Sequence, residues 1–133
     1  MRILIIGGGG YVGSMLVQKL VEQKMDVLVL DLFIYGNPKR VFSNFYESRY
    51  LTVIKGDLRD KDLMENLISK TDHVIHLACI SNDPSFELNP NLGKSINYDS
   101  FYPLIKICKK KIDKFIFASS SSVYGIKDNK EVT

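Results

Sequence analysis

Four consecutive glycines, Gly7-Gly8-Gly9-Gly10, separate an apolar run from an amphipathic segment near the start of the chain. Few folds can use such a junction. The run before it, Arg2 to Ile6, is rich in Ile and Leu and predicts a short strand buried on both faces. The segment after it, Tyr11 to Gln23, carries Val12, Leu16 and Leu20 at a spacing of four, with Met15 on the neighbouring ridge, which predicts an amphipathic helix. Glycines 7, 10 and 13 form G-x-x-G-x-x-G, and a second register, G-x-G-x-x-G, begins at Gly8. In the first register Gly7 permits a tight turn out of the strand. Gly10, lacking a Cβ, lets an anion reach the backbone, and Gly13 lets the helix pack close to the sheet. The helix start offers unpaired N–H groups and the positive end of a dipole. A plain flexible turn is the alternative, but a strand before the loop and a helix after it favour a cradle for a dinucleotide's diphosphate.

Further apolar runs follow with polar ends. Met25 to Leu30 predicts a second strand ending at Asp31, 18 residues past Gly13. A carboxylate there accepts both hydroxyls of an adenosine ribose and repels a 2′-phosphate, so NAD is expected over NADP. Lys39 and Arg40 in the following loop soften that preference, and a solvated turn aspartate is the bland alternative. Residues 32–48 read as a loop with at most a short helix. Strands are expected over Tyr50 to Lys55, Asp72 to Ala78 and Lys114 to Ala118, with a helix over Lys61 to Ser69. Asn89-Pro90 supplies a cap and a first-turn proline for a helix running to about Lys111, and Pro103 predicts a kink in it or a restart near Ser100. This alternation calls for an α/β fold, a Rossmann-like doubly wound parallel sheet truncated after about five strands. Such sheets bind ligands at the carboxyl ends of their strands, where the polar clusters of this chain fall.

Composition narrows the classes. At 133 residues, 45% hydrophobic and 25% charged, the chain is sized for one ordered domain and is not disordered. A net charge of +3 is too mild to argue for nucleic acid, and Lys109-Lys110-Lys111 reads as a solvated helix end. No apolar run approaches the roughly 20 residues that cross a bilayer, and the early glycines argue against a signal peptide. Two cysteines, Cys79 and Cys108, make neither a disulfide framework nor a zinc site, so no metal and a reducing, cytoplasmic setting are expected.

Taken in order, Gly7 to Gly13, Asp31, Gly56-Asp57-Leu58-Arg59-Asp60, His76-Leu77-Ala78, Asn97 and Ser119-Ser120-Ser121-Ser122-Val123-Tyr124-Gly125 resemble the extended short-chain dehydrogenases/reductases. Within them the chain is most similar to the NAD-dependent epimerase/dehydratase group, UDP-glucose 4-epimerase-like, acting on nucleotide sugars. The resemblance implies that Gly7, Gly10, Tyr11, Val12 and Gly13 hold the diphosphate of NAD. It implies that Asp57 accepts from the adenine amino group, with a helix cap as the alternative, and that Leu58 packs on the adenine. Leu77 and Ala78 then line the cofactor. Asn97 fixes the loop and helix beside the nicotinamide, or is a helix-surface amide. His76 reads as structural, and Cys79 as a small buried hydrophobe. Ser120 corresponds to the hydroxyl that contacts the reacting sugar oxygen, whereas Tyr124 is not the family's catalytic tyrosine. Where dehydratases of the family carry Asp-Glu, this chain has Ser121-Ser122, poor groups for acid-base elimination, which favours an epimerase or a simple reductase.

The family's Tyr-x-x-x-Lys element is expected beyond Thr133. The two literal matches, Tyr35 with Lys39 and Tyr102 with Lys106, fall in the wrong places. The expectation is therefore the N-terminal part, residues 1–133, of an NAD-binding domain. Later strands and a substrate domain would lie outside it, and the chain alone would be catalytically inactive. The exposed edge of its last strand invites self-association, a homodimer in the simplest case. The alternatives are a non-enzymatic NAD-binding or redox-sensing module and an NAD-dependent sugar or ketone reductase.

Overall fold

Alternate residues of the first strand, β1 (Arg2–Ile6), feed two separate cores. Ile3 and Ile5 point to one face of the sheet and Leu4 and Ile6 to the other, all 5% exposed or less, as a period of two requires when both faces are covered. The architecture comes from a computed structural model, which describes residues 1–34, 36–80, 89–109 and 111–119. The chain continues through α1 (Tyr11–Glu22), β2 (Asp26–Asp31), a short α2 (Pro38–Val41), β3 (Leu51–Lys55), α3 (Lys61–Ile68) and β4 (His73–His76). After the loop come α4 (Pro90–Lys94), a π-turn (Ser95–Asp99), α5 (Phe101–Cys108) and β5 (Lys114–Phe117).

All five strands are parallel, in the order β3-β2-β1-β4-β5. Strand order reverses between β1 and β4, so their carboxyl ends open a crevice. Val17 and Val21 of α1 pack with Val27, Val29 and Phe42 on one face. Met64, Leu67 and Ile68 of α3 pack with Leu104 and Cys108 of α5 on the other. The expected elements are present: β1 has the expected bounds, β2 is shifted by one residue, and α1, β3, α3, β4 and β5 are shorter by one or two residues at one or both ends. The expected capping holds too: the Asn89 side chain accepts from Leu92 N–H at 3.0 Å.

The long helix is interrupted and restarts at Phe101 with Ser100 as its cap, as the Pro103 reading expects. Proline has no N–H to give the carbonyl of Asp99, and the chain absorbs the missing bond as a π-turn. There Ser100 N–H donates to Ser95 C=O at 3.1 Å, and the Ser100 hydroxyl donates to Ile96 C=O at 2.6 Å. Strand β5 pairs only with β4 among the described residues and leaves Ile116 and Phe117 nearly half exposed.

Candidate functional site

A cavity of about 470 Å³ opens at the carboxyl ends of β1 to β4, within the usual range for a ligand pocket. The glycine loop forms its floor. Gly7 has φ 84°, and its N–H donates to Leu30 C=O at 2.8 Å, pinning the turn to β2. A side chain at Gly7 would meet Ala78 N at 2.5 Å. The first bond of α1 is donated by Ser14 to Gly10 C=O at 2.9 Å. The N–H groups of Tyr11, Val12 and Gly13 precede it and find no acceptor within the helix. The cap has no side-chain bond, and the first turn has no acidic residue to compete for an anion. Gly13 is tight: a Cβ there would meet the backbone of Gly7 and Gly8, at the exit of β1.

Asp31 closes one wall. Its Oδ2 accepts from Gly9 N–H at 2.9 Å and its Oδ1 from Phe33 N–H at 2.7 Å. Each carboxylate oxygen can accept twice, so a second lone pair on each stays available for a vicinal pair of hydroxyls. Phe33, at φ 50°, turns the chain away from β2, and its ring lies under Gly9. Leu32, Ile34, Gly36 and Val41 continue this apolar wall.

Gly7, Gly10, Asp31, Leu58, Leu77 and Ala78 line the cavity. Asp57 stands between two lining residues, Gly56 and Leu58. It is not the cap of α3: Asp60 is, accepting from Leu63 N–H at 3.0 Å. Arg59 holds the Asp57 carboxyl below its ordinary pKa, chiefly through side-chain hydrogen bonds. Asn97 is not a surface amide: its Oδ1 accepts from Ile80 N–H at 2.8 Å and its Nδ2 donates to Ile80 C=O at 2.9 Å. It thereby fixes the strand exit at a residue that lines the cavity. Tyr11 and Val12 offer main-chain groups only, since their side chains turn to solvent. Cys79 is exposed and lines the cavity, where a buried side chain was expected. Ser120, Ser121, Ser122 and Tyr124 lie outside the described residues. Phe33 and Ile34 line the site without having been anticipated, and Gly9 and Gly56 line it from within motifs in which they were given no role of their own; the apolar Leu32-Phe33-Ile34 directly after Asp31 was the available signal.

His76 is 2% exposed and packs beside Phe101, Phe115 and Phe117. Burial alone pushes its pKa down to about 4, so it is neutral at pH 7. The unfolded chain binds this proton more readily, near pH 6.5. Stability is therefore full above that value and falls as the pH drops towards 4. Urea unfolding should show a loss of about 2 kcal/mol from this group between pH 7.5 and 5. The His76→Phe chain should lack that component, and an equal loss in both chains would contradict the assignment.

The sequence model of the NAD dependent epimerase/dehydratase family matches residues 3–133. The chain belongs to that family. A putative UDP-glucose 4-epimerase of Methanocaldococcus jannaschii is 36% identical over 126 residues, covering 92% of this chain and 39% of that protein. UDP-glucuronic acid decarboxylase 1 of Arabidopsis thaliana is 30% identical over 125 residues, covering 94% and 27%. The solved UDP-N-acetylglucosamine 4-epimerase of Methanobrevibacter ruminantium superimposes with a TM-score of 0.87 at 32% identity, covering 99% of this chain and 42% of that one. This family member thus spans between about a quarter and two fifths of the length of such relatives.

Proposed function

We propose that this chain is the NAD-binding part of an enzyme that oxidises and re-reduces a sugar carbon of a nucleotide sugar, with epimerisation as the net result. One observation carries the reading: a single cavity is lined both by Gly7, Gly9 and Gly10, where the glycine loop enters α1, and by Asp31, a carboxylate whose two oxygens are each held by one backbone N–H. The first suits a diphosphate and the second a ribose diol. The cavity volume and its apolar wall suit the rest of an adenosine. NAD, when bound, supplies reversible uptake of a hydride from the sugar carbon.

The chain's own part is to bind and orient. Leu58 packs on the adenine, while Leu77 and Ala78 border the path towards the nicotinamide. Asn97 holds that border through Ile80, and Ser120 meets the sugar oxygen. Ser121 and Ser122 offer hydroxyls in place of an acid-base pair, which supports epimerisation over dehydration. Residues 1–133 bind without turnover. Tyr102 and Lys106 support this: the ammonium lies 4.7 Å from the ring centroid on an exposed face of α5, and neither residue lines the cavity. In this reading the protein works in the cytoplasm, and the edge of β5 is its route to self-association.

The test uses the full-length protein with UDP-galactose. It should yield UDP-glucose without net NADH. Asp31→Ala should weaken NAD by about tenfold or more, the equivalent of one charge-assisted hydrogen bond, and bring the NAD and NADP affinities together. Net NADH release would favour a reductase. An unchanged ratio of NAD to NADP affinity would remove Asp31 from the site.

A further inference from the structure

We propose that Arg59 is a positioning residue that sets a preference for adenine over a 6-oxopurine by holding the Asp57 carboxylate in place; this rests on the reading of the cavity as an NAD site. Arg59 Nε donates to Asp57 Oδ1 at 2.9 Å and Oδ2 at 3.0 Å, and Nη2 donates to Oδ2. The Arg59 backbone N–H adds a bond to Oδ1 at 2.9 Å. The other arm of the guanidinium, Nη1, donates to Ser95 Oγ at 3.0 Å, across 36 residues of sequence.

A planar fork gripping both oxygens fixes the plane of the carboxylate as well as its charge. The Ser95 hydroxyl in turn anchors the fork to the π-turn. That turn also carries Asn97, whose amide holds Ile80 at the cavity wall. Gly56 and Leu58 on either side of Asp57 line the same cavity. An oriented acceptor beside the base attracts an exocyclic amino group and repels a carbonyl at the same ring position. Lysine, a point charge on a flexible stem, would keep the charge and lose the orientation.

The experiment titrates NAD and nicotinamide hypoxanthine dinucleotide into the full chain and into its Arg59→Met and Arg59→Lys variants by calorimetry. The unaltered chain should bind NAD about tenfold tighter than the hypoxanthine analogue, the scale of one well-placed hydrogen bond. Arg59→Met should bring the two within about twofold by weakening NAD alone, and Arg59→Lys should not restore the difference. The melting temperature should stay nearly unchanged, because a partly exposed ion pair contributes little to stability. Preserved discrimination in Arg59→Met, equal weakening of both dinucleotides, or full rescue by lysine would overturn the proposal. If the unaltered chain binds both dinucleotides equally, the Asp57 contact with adenine is wrong and the proposal falls with it. If it binds neither, the cofactor reading itself fails and takes the proposal with it.

Discussion

Gly13→Ala should lower the melting temperature by about 10 °C, a loss of roughly 3 kcal/mol. On an ordinary helix the same change is stabilising by about 1 kcal/mol, because alanine is the better helix former. Here the sign reverses. A Cβ at position 13 would press on the carbonyl oxygen of Gly7 and sit 2.7 Å from Gly8 Cα and 2.9 Å from Gly8 C. All of these are backbone atoms, so no side chain can swing aside. The loop itself would have to move, and Gly7 is already tied to Leu30 and pressed against Ala78. Thermal unfolding followed by circular dichroism measures the effect. A gain in stability would mean that helix and loop are not in contact as described.

Gly10→Val should do the opposite, leaving the fold intact and removing the ligand. Gly10 has φ −75° and ψ 178°, an extended conformation open to any residue. Its Cβ would meet only Gly7 O, at 3.4 Å, an ordinary contact. The valine would instead occupy cavity space beside the helix start. A diphosphate kept away from two N–H groups loses about 3 kcal/mol, or roughly 100-fold in affinity. Calorimetry should show NAD binding weakened by that factor or more, with a melting temperature within a few degrees of the unaltered chain. The two glycines, three residues apart, thus separate stability from binding.

Much of this was legible because it is local. The strand-glycine-helix junction, the placement of Asp31 and the Asn89 cap depend on neighbours in sequence, and each appears where the residues require. Pro103 was a correct sign of a break: the helix restarts after Ser100, and the π-turn Ser95–Asp99 precedes the restart because the missing bond belongs to the carbonyl four residues before the proline. The cavity wall after Asp31 was hidden by its Gly, Asn and Pro content, which reads as loop although Phe33, Ile34 and Val41 line the site. The Arg59–Ser95 contact and the Asn97–Ile80 pair are tertiary, and no periodicity reports them. Cys79 was read through the resemblance as a small buried hydrophobe, but the strand ends at His76 and the thiol is exposed at the opening. UDP-glucuronic acid decarboxylases among the relatives widen the range of chemistry beyond the epimerase, dehydratase and reductase outcomes read from Ser121 and Ser122.

The central claim is that a dinucleotide's diphosphate rests on the first N–H groups of α1. It is tested most directly by titrating NAD into the isotopically labelled chain while following each backbone amide by NMR. The amides of Gly9 to Gly13 should show the largest shifts, and the same amides in Gly10→Val should stay still at the same NAD concentration. Shifts centred away from the glycine loop, or unaltered by Gly10→Val, would contradict it.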